Sequence, residues 1–115
     1  EAVEHGVSDV DGIGPRMIQA SGLRYSYCPT APVGHRVISV EVQDRNRKWN
    51  PLDDNKVYVA AVGAFLASGG DDHKALADGI KISNSGPLVA DALKVYLKKK
   101  SPINQTPEPR ISTLK

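Results

Sequence analysis

Arg36-Val37-Ile38-Ser39-Val40-Glu41-Val42-Gln43 alternates apolar and polar side chains, with Ile38, Val40 and Val42 on one face and Ser39 and Glu41 on the other. A period of two is the signature of a strand with one face buried. Residues 44–48, Asp-Arg-Asn-Arg-Lys, are charged and fit a hairpin tip. Residues 49–54 then read as a short return strand, ended by Pro51 and the pair Asp53-Asp54. On the N-terminal side, residues 28–34 hold Pro29, Pro32 and Gly34 and make a turn-rich connection. Before it, residues 17–27 read as extended, because Leu23, Tyr25 and Tyr27 alternate with Arg24 and Ser26. Gly22 interrupts that run and marks a candidate bulge.

Further out, residues 1–7 carry apolar side chains at Ala2, Val3 and Val7, a weak helical pattern stopped near Gly6. Residues 8–15 hold Gly12, Gly14 and Pro15 among Asp residues and read as a loop. Residues 56–62, Lys-Val-Tyr-Val-Ala-Ala-Val, form a continuous apolar run, which predicts a strand covered on both faces. Residues 65–72, Phe-Leu-Ala-Ser-Gly-Gly-Asp-Asp, form a turn whose glycines permit positive φ, with Asp71 or Asp72 placed to cap a short helix over 74–78. Residues 87–100 are the best helix: Pro87 suits the first turn, and Leu88, Val89, Ala92, Leu93, Tyr96 and Leu97 make one apolar stripe. Lys98, Lys99 and Lys100 sit at its negative end, and Ser101-Pro102 stops it. The remainder, 101–115, with Pro102, Pro107 and Pro109, reads as an extended C-terminal tail. The expected fold is therefore α+β, a small mixed or antiparallel sheet with helices packed on it, in one domain over 1–115.

The chain has 115 residues, 40% hydrophobic and 24% charged, with a formal net charge of only +2. That balance gives no footing for nucleic-acid binding, and no apolar stretch is long enough for a membrane span. The single Cys28 excludes an internal disulfide and a cysteine zinc site, and no neighbouring base marks it as a nucleophile.

The order of these segments resembles the C-terminal domain of 5'-nucleotidases. The resemblance runs through Ser21-Gly22-Leu23-Arg24-Tyr25-Ser26-Tyr27, Arg36-Val37-Ile38-Ser39-Val40-Glu41-Val42, Lys48-Trp49-Asn50-Pro51-Leu52-Asp53 and Lys56-Val57-Tyr58. Its most specific part is Phe65-Leu66-Ala67-Ser68-Gly69-Gly70-Asp71, and Glu4-His5-Gly6-Val7 and Pro109-Arg110-Ile111 also fit. The resemblance implies a nucleoside- or nucleotide-binding role, with Phe65 stacking on the base, Asp71 accepting the ribose hydroxyls, and Gly69 and Gly70 letting the backbone approach the ligand. It also implies that catalysis belongs to a separate N-terminal metallophosphoesterase domain or companion chain holding divalent metals such as zinc. No catalytic residue, metal ligand or cofactor is then expected here.

The residues alone leave other readings open. Phe65 also suits the end of a core strand, and Asp71 a solvated helix cap. Asp71, Asp72 and His73 are consecutive and poorly placed to converge on one metal, while His5 and His35 are isolated along the chain. The chain also departs from the family, which usually has Gly and an aromatic where Asp72 and His73 stand, and Asn where Ala64 stands. A free-standing secreted binding or antagonist protein, acting on a small ligand or another protein, is the alternative. Asn104-Gln105-Thr106 is a glycosylation sequon and agrees with an extracellular or cell-surface location.

Overall fold

The computed structural model describes every residue except 13, 15 and 84. Pro15, read above as part of a loop, lies outside the described residues. The elements run α1 (Ala2–Gly6), β1 (Leu23–Tyr27), β2 (Val37–Gln43), β3 (Trp49–Pro51), α2 (Ala64–Ala67), a 3-10 turn (Gly70–Asp72), α3 (Lys74–Ala77), α4 (Val89–Lys100) and β4 (Ile111–Thr113). They divide into two compact units. Glu1–Asp78 with Pro109–Lys115 form the first, and Gly79–Glu108 the second.

The first unit is built on one four-stranded sheet, ordered β3-β2-β1-β4. β2 pairs antiparallel with β1 and β3, and β4 runs parallel to β1, so the sheet is mixed and the class is α+β. The β2–β3 connection is a hairpin tip, as its charge predicts. Asp44 Oδ1 accepts the amides of Asn46 and Lys48, and the Asp44 amide donates to Lys48 O. The end of the tail does not stay free, because Ile111–Thr113 pair with Tyr25–Tyr27.

Alternation in β1 predicts the core correctly: Tyr25 and Tyr27 are buried with Val7, and Val3, Leu23, Val37, Val40 and Ile111 pack around them. Val3 belongs to α1, so this short helix covers one face of the sheet. In β2 the expectation needs one correction. Ser26 stands opposite Ser39 but Tyr27 stands opposite Val37, so Ile38 is an extra residue. This bulge reverses the parity of the strand's first residues. Val37 takes the inward place assigned to Ile38, which is 54% exposed. Gly22, the predicted bulge, instead bends the chain at φ +74 just before β1.

Residues 56–62 do not form the predicted covered strand. Among the described residues they join no ladder, and Val57 is 88% exposed. A continuous apolar run requires neighbours on both sides, and the adjoining sheet edge, β3, is three residues long and ends at Pro51. In the second unit α4 forms as expected, two residues shorter at its start, with Leu88 at its N-cap. Its apolar stripe is exposed at Leu93, Tyr96 and Leu97. Among the described residues, no helix is long and apolar enough to cross a membrane.

Burial also perturbs the core chemistry. The Tyr25 hydroxyl donates to Ile18 O at 3.0 Å. Desolvation, with a smaller contribution from the Tyr27 phenol, pushes its pKa up to about 12 from 10.0. The folded state thus favours the neutral phenol, so this contribution to stability is complete below pH 10 and is lost as pH rises towards 12. Denaturant unfolding should show stability falling across that window, with a shallower fall in Tyr25→Phe. Identical pH slopes for the two proteins would refute this.

Candidate functional site

The local sequence from 63 to 77 forces a compact bend. Gly63 precedes α2, one turn of helix that carries Phe65, and the Ser68 hydroxyl closes the turn by donating to Phe65 O at 2.8 Å. Gly69 follows at φ +87, the left-handed region that costs glycine least. Asp71 and Asp72 are also left-handed, at φ 53 and 62. Neither caps α3. The N-cap is His73, and among the described residues no side chain caps the helix there. The predicted helix over 74–78 forms as Lys74–Ala77, but without the predicted cap.

Phe65 lies on α2 after an exposed segment, not on a loop after a buried strand. The ring is 63% exposed, so it does not belong to the core. It lies flat against Gly70: a Cβ built there would stand 2.5–2.6 Å from Cδ1, Cε1 and Cζ. Gly70 is therefore required by the ring, and Gly69 by the backbone angle. The Asp71 side chain is exposed, and among the described residues its carboxylate has no hydrogen-bond or ion-pair partner. An exposed aromatic face, a backbone without a side chain beneath it and an unpaired carboxylate next in the chain can receive a flat ring bearing vicinal hydroxyls.

Behind this surface lies a set of contacts that sequence spacing does not show. His73 is 1% exposed and its Nε2 lies 3.0 Å from Arg16 O. His5, on α1, meets it edge to face, with ring centroids 4.7 Å apart. His5 Nε2 lies 2.8 Å from Asp71 O. His5, isolated in sequence, is thus part of the site's support. Arg16 Nη2 reaches Asp72 Oδ2 at 3.8 Å, a loose pair whose carboxylate is mostly exposed. Gly6 permits the close approach, since a Cβ there would stand 3.1 Å from Arg16 O.

The other candidates stay apart. Cys28 is half-buried, and its thiol is held below the usual value chiefly by the Thr30 hydroxyl at 3.2 Å. Asn104 is exposed in the second unit. Among the described residues, no three His, Cys, Asp or Glu side chains gather where they could hold a metal ion.

Residues 1–78 match the family described as 5'-nucleotidase, C-terminal domain. This chain belongs to that family. It is 34% identical to an apyrase of Tabanus yao over 96% of this chain and 21% of that protein. It is 29% identical to the snake venom 5'-nucleotidase of Macrovipera lebetinus, over 99% of this chain and 29% of that protein. Among solved structures, the 5'-nucleotidase precursor from Thermus thermophilus superposes with a TM-score of 0.90 at 34% identity. That match covers 98% of this chain and 22% of the other. The chain spans about a fifth of the length of the first relatives it matches.

Proposed function

We propose that this chain is the nucleoside-recognition part of a 5'-nucleotidase-like phosphohydrolase. It orients a nucleoside or nucleotide for a dimetal domain that is not part of the chain. The observation that carries the reading is the exposed Phe65 ring lying on Gly70, with the exposed Asp71 carboxylate, unpaired among the described residues, on the next residue of the chain. Phe65 stacks on the base. The Asp71 carboxylate accepts hydrogen bonds from the two ribose hydroxyls, both charge-assisted. Gly69 and Gly70 keep side chains out of the approach. Holding base and ribose in one place fixes where the 5'-phosphate lies, which is an orientational contribution to catalysis. Hydrolysis itself is assigned to the companion domain, and no step of it is derived from these residues. The snake venom relative supports an extracellular location, where an exposed Asn104 would be available for glycosylation.

Calorimetry with adenosine tests the reading. The full chain should bind, and Phe65→Ala should weaken binding by roughly tenfold, in line with a base–aromatic stack. The same preparation should hydrolyse no AMP with added zinc. Equal affinity in the Phe65→Ala chain would overturn the stacking role, and AMP hydrolysis would overturn the division of labour.

A further inference from the structure

The turn that presents Asp71 is conformationally expensive, because two successive non-glycine residues, Asp71 and Asp72, hold positive φ. Such a backbone persists only where its surroundings hold it. The neighbouring glycine does not do so, since Gly69 merely permits its own angle. The Asp71 carbonyl is held from outside the turn, by His5 Nε2 at 2.8 Å, across 66 residues of sequence.

A carbonyl oxygen only accepts, so the His5 imidazole carries its proton on Nε2 and donates it. The same logic applies to His73, whose Nε2 faces Arg16 O at 3.0 Å. His73 is 1% exposed, and among the described residues its buried Nδ1 has no hydrogen-bond partner. Its ring is held by the Nε2 contact with Arg16 O and by packing, and it forms the wall against which His5 stands at 82°. A phenylalanine at 73 would fill the space but could not bond Arg16 O.

We propose that His5, braced edge to face by buried His73, is the positioning residue for Asp71, its Nε2–H holding the Asp71 carbonyl and so the left-handed turn. This rests on the nucleoside-binding reading for its consequence, though not for its geometry. His5 touches no ligand. It acts by holding the turn that presents Asp71.

The test compares His5→Gln with His5→Met in the full chain. The two side chains are of equal length and both remove the ring contact, but only Gln can donate to a carbonyl. In the native chain, NMR should show at Asp71 the strong intraresidue amide–Hα cross-peak of a positive φ. Gln should keep it and Met should lose it. Adenosine affinity should follow, within about twofold of native for Gln and roughly fivefold to tenfold weaker for Met, the effect of one hydrogen bond. A Met variant that keeps both the cross-peak and the affinity of the Gln variant would overturn the proposal. If the native chain binds no adenosine, the nucleoside reading fails, and the cross-peak still decides the role of His5.

Discussion

Replacing Gly70 by alanine is expected to weaken adenosine binding by about tenfold or more while changing fold stability by less than about 1 kcal/mol. The new methyl group would arrive 2.5 Å from two atoms of the Phe65 ring, closer than real Cβ contacts allow. Something must move, and the ring is the cheaper choice. It is 63% exposed and lies at the end of a rotatable side chain, so it can swing towards solvent. Position 70 lacks a positive φ, so alanine brings no backbone strain of its own. Gly69→Ala should behave in the opposite way. At φ +87 its methyl group costs about 1–2 kcal/mol of backbone energy, while the space around it, with Ala77 Cβ at 3.5 Å, tolerates it. Thermal melts and calorimetry on the two variants separate these effects. Unchanged adenosine affinity in Gly70→Ala, with the ring displaced, would remove Phe65 from the binding site.

The contrast between these glycines also marks how far the sequence could be read. Phe65, Gly69, Gly70 and Asp71 lie within seven residues, so their pattern is visible along the chain and the structure gathers them in one bend. β1 and β2 were legible for the same reason, because alternation is a local signal. Three features were not legible. The bulge at Ile38 depends on which residue of β1 stands opposite, and an uninterrupted alternation carries no trace of it. Residues 56–62 read identically whether neighbours cover them or not, since composition records apolarity and not partners. β4 is three residues in a proline-rich tail, and only its pairing with β1 makes it a strand. The support of the site failed to show for a related reason. His5 and His73 meet across the fold, so each looks solitary in a linear reading.

Arg36 is the strongest case of a role hidden by sequence distance, and Arg36→Met is expected to cost about 2–4 kcal/mol of stability. It opens the run that reads as the clearest strand, where an arginine looks like a solvated flank. In the fold it is 6% exposed and serves four backbone and side-chain acceptors. Nη1 donates to Val7 O at 3.0 Å and Ser8 O at 3.3 Å, Nε to Ala31 O at 3.1 Å, and Nη2 to the Asp11 carboxylate. From the other side, the Glu4 carboxylate accepts the amides of Arg36 and Val37. One guanidinium thus ties the end of α1 and the 28–36 connection to the start of β2. Methionine would match its packing but leave these carbonyls short of a donor in the interior, and the unmet acceptors dominate the cost. Asp11→Asn should cost under about 1 kcal/mol, because that carboxylate is mostly exposed and its ion pair is worth little. For a domain of this size the Arg36→Met loss corresponds to a melting midpoint lower by roughly 10–20 °C. Because α1 also carries His5, the same variant should weaken adenosine binding even well below its melting temperature. Equal midpoints for Arg36→Met and Asp11→Asn would show that the guanidinium acts only through its surface ion pair.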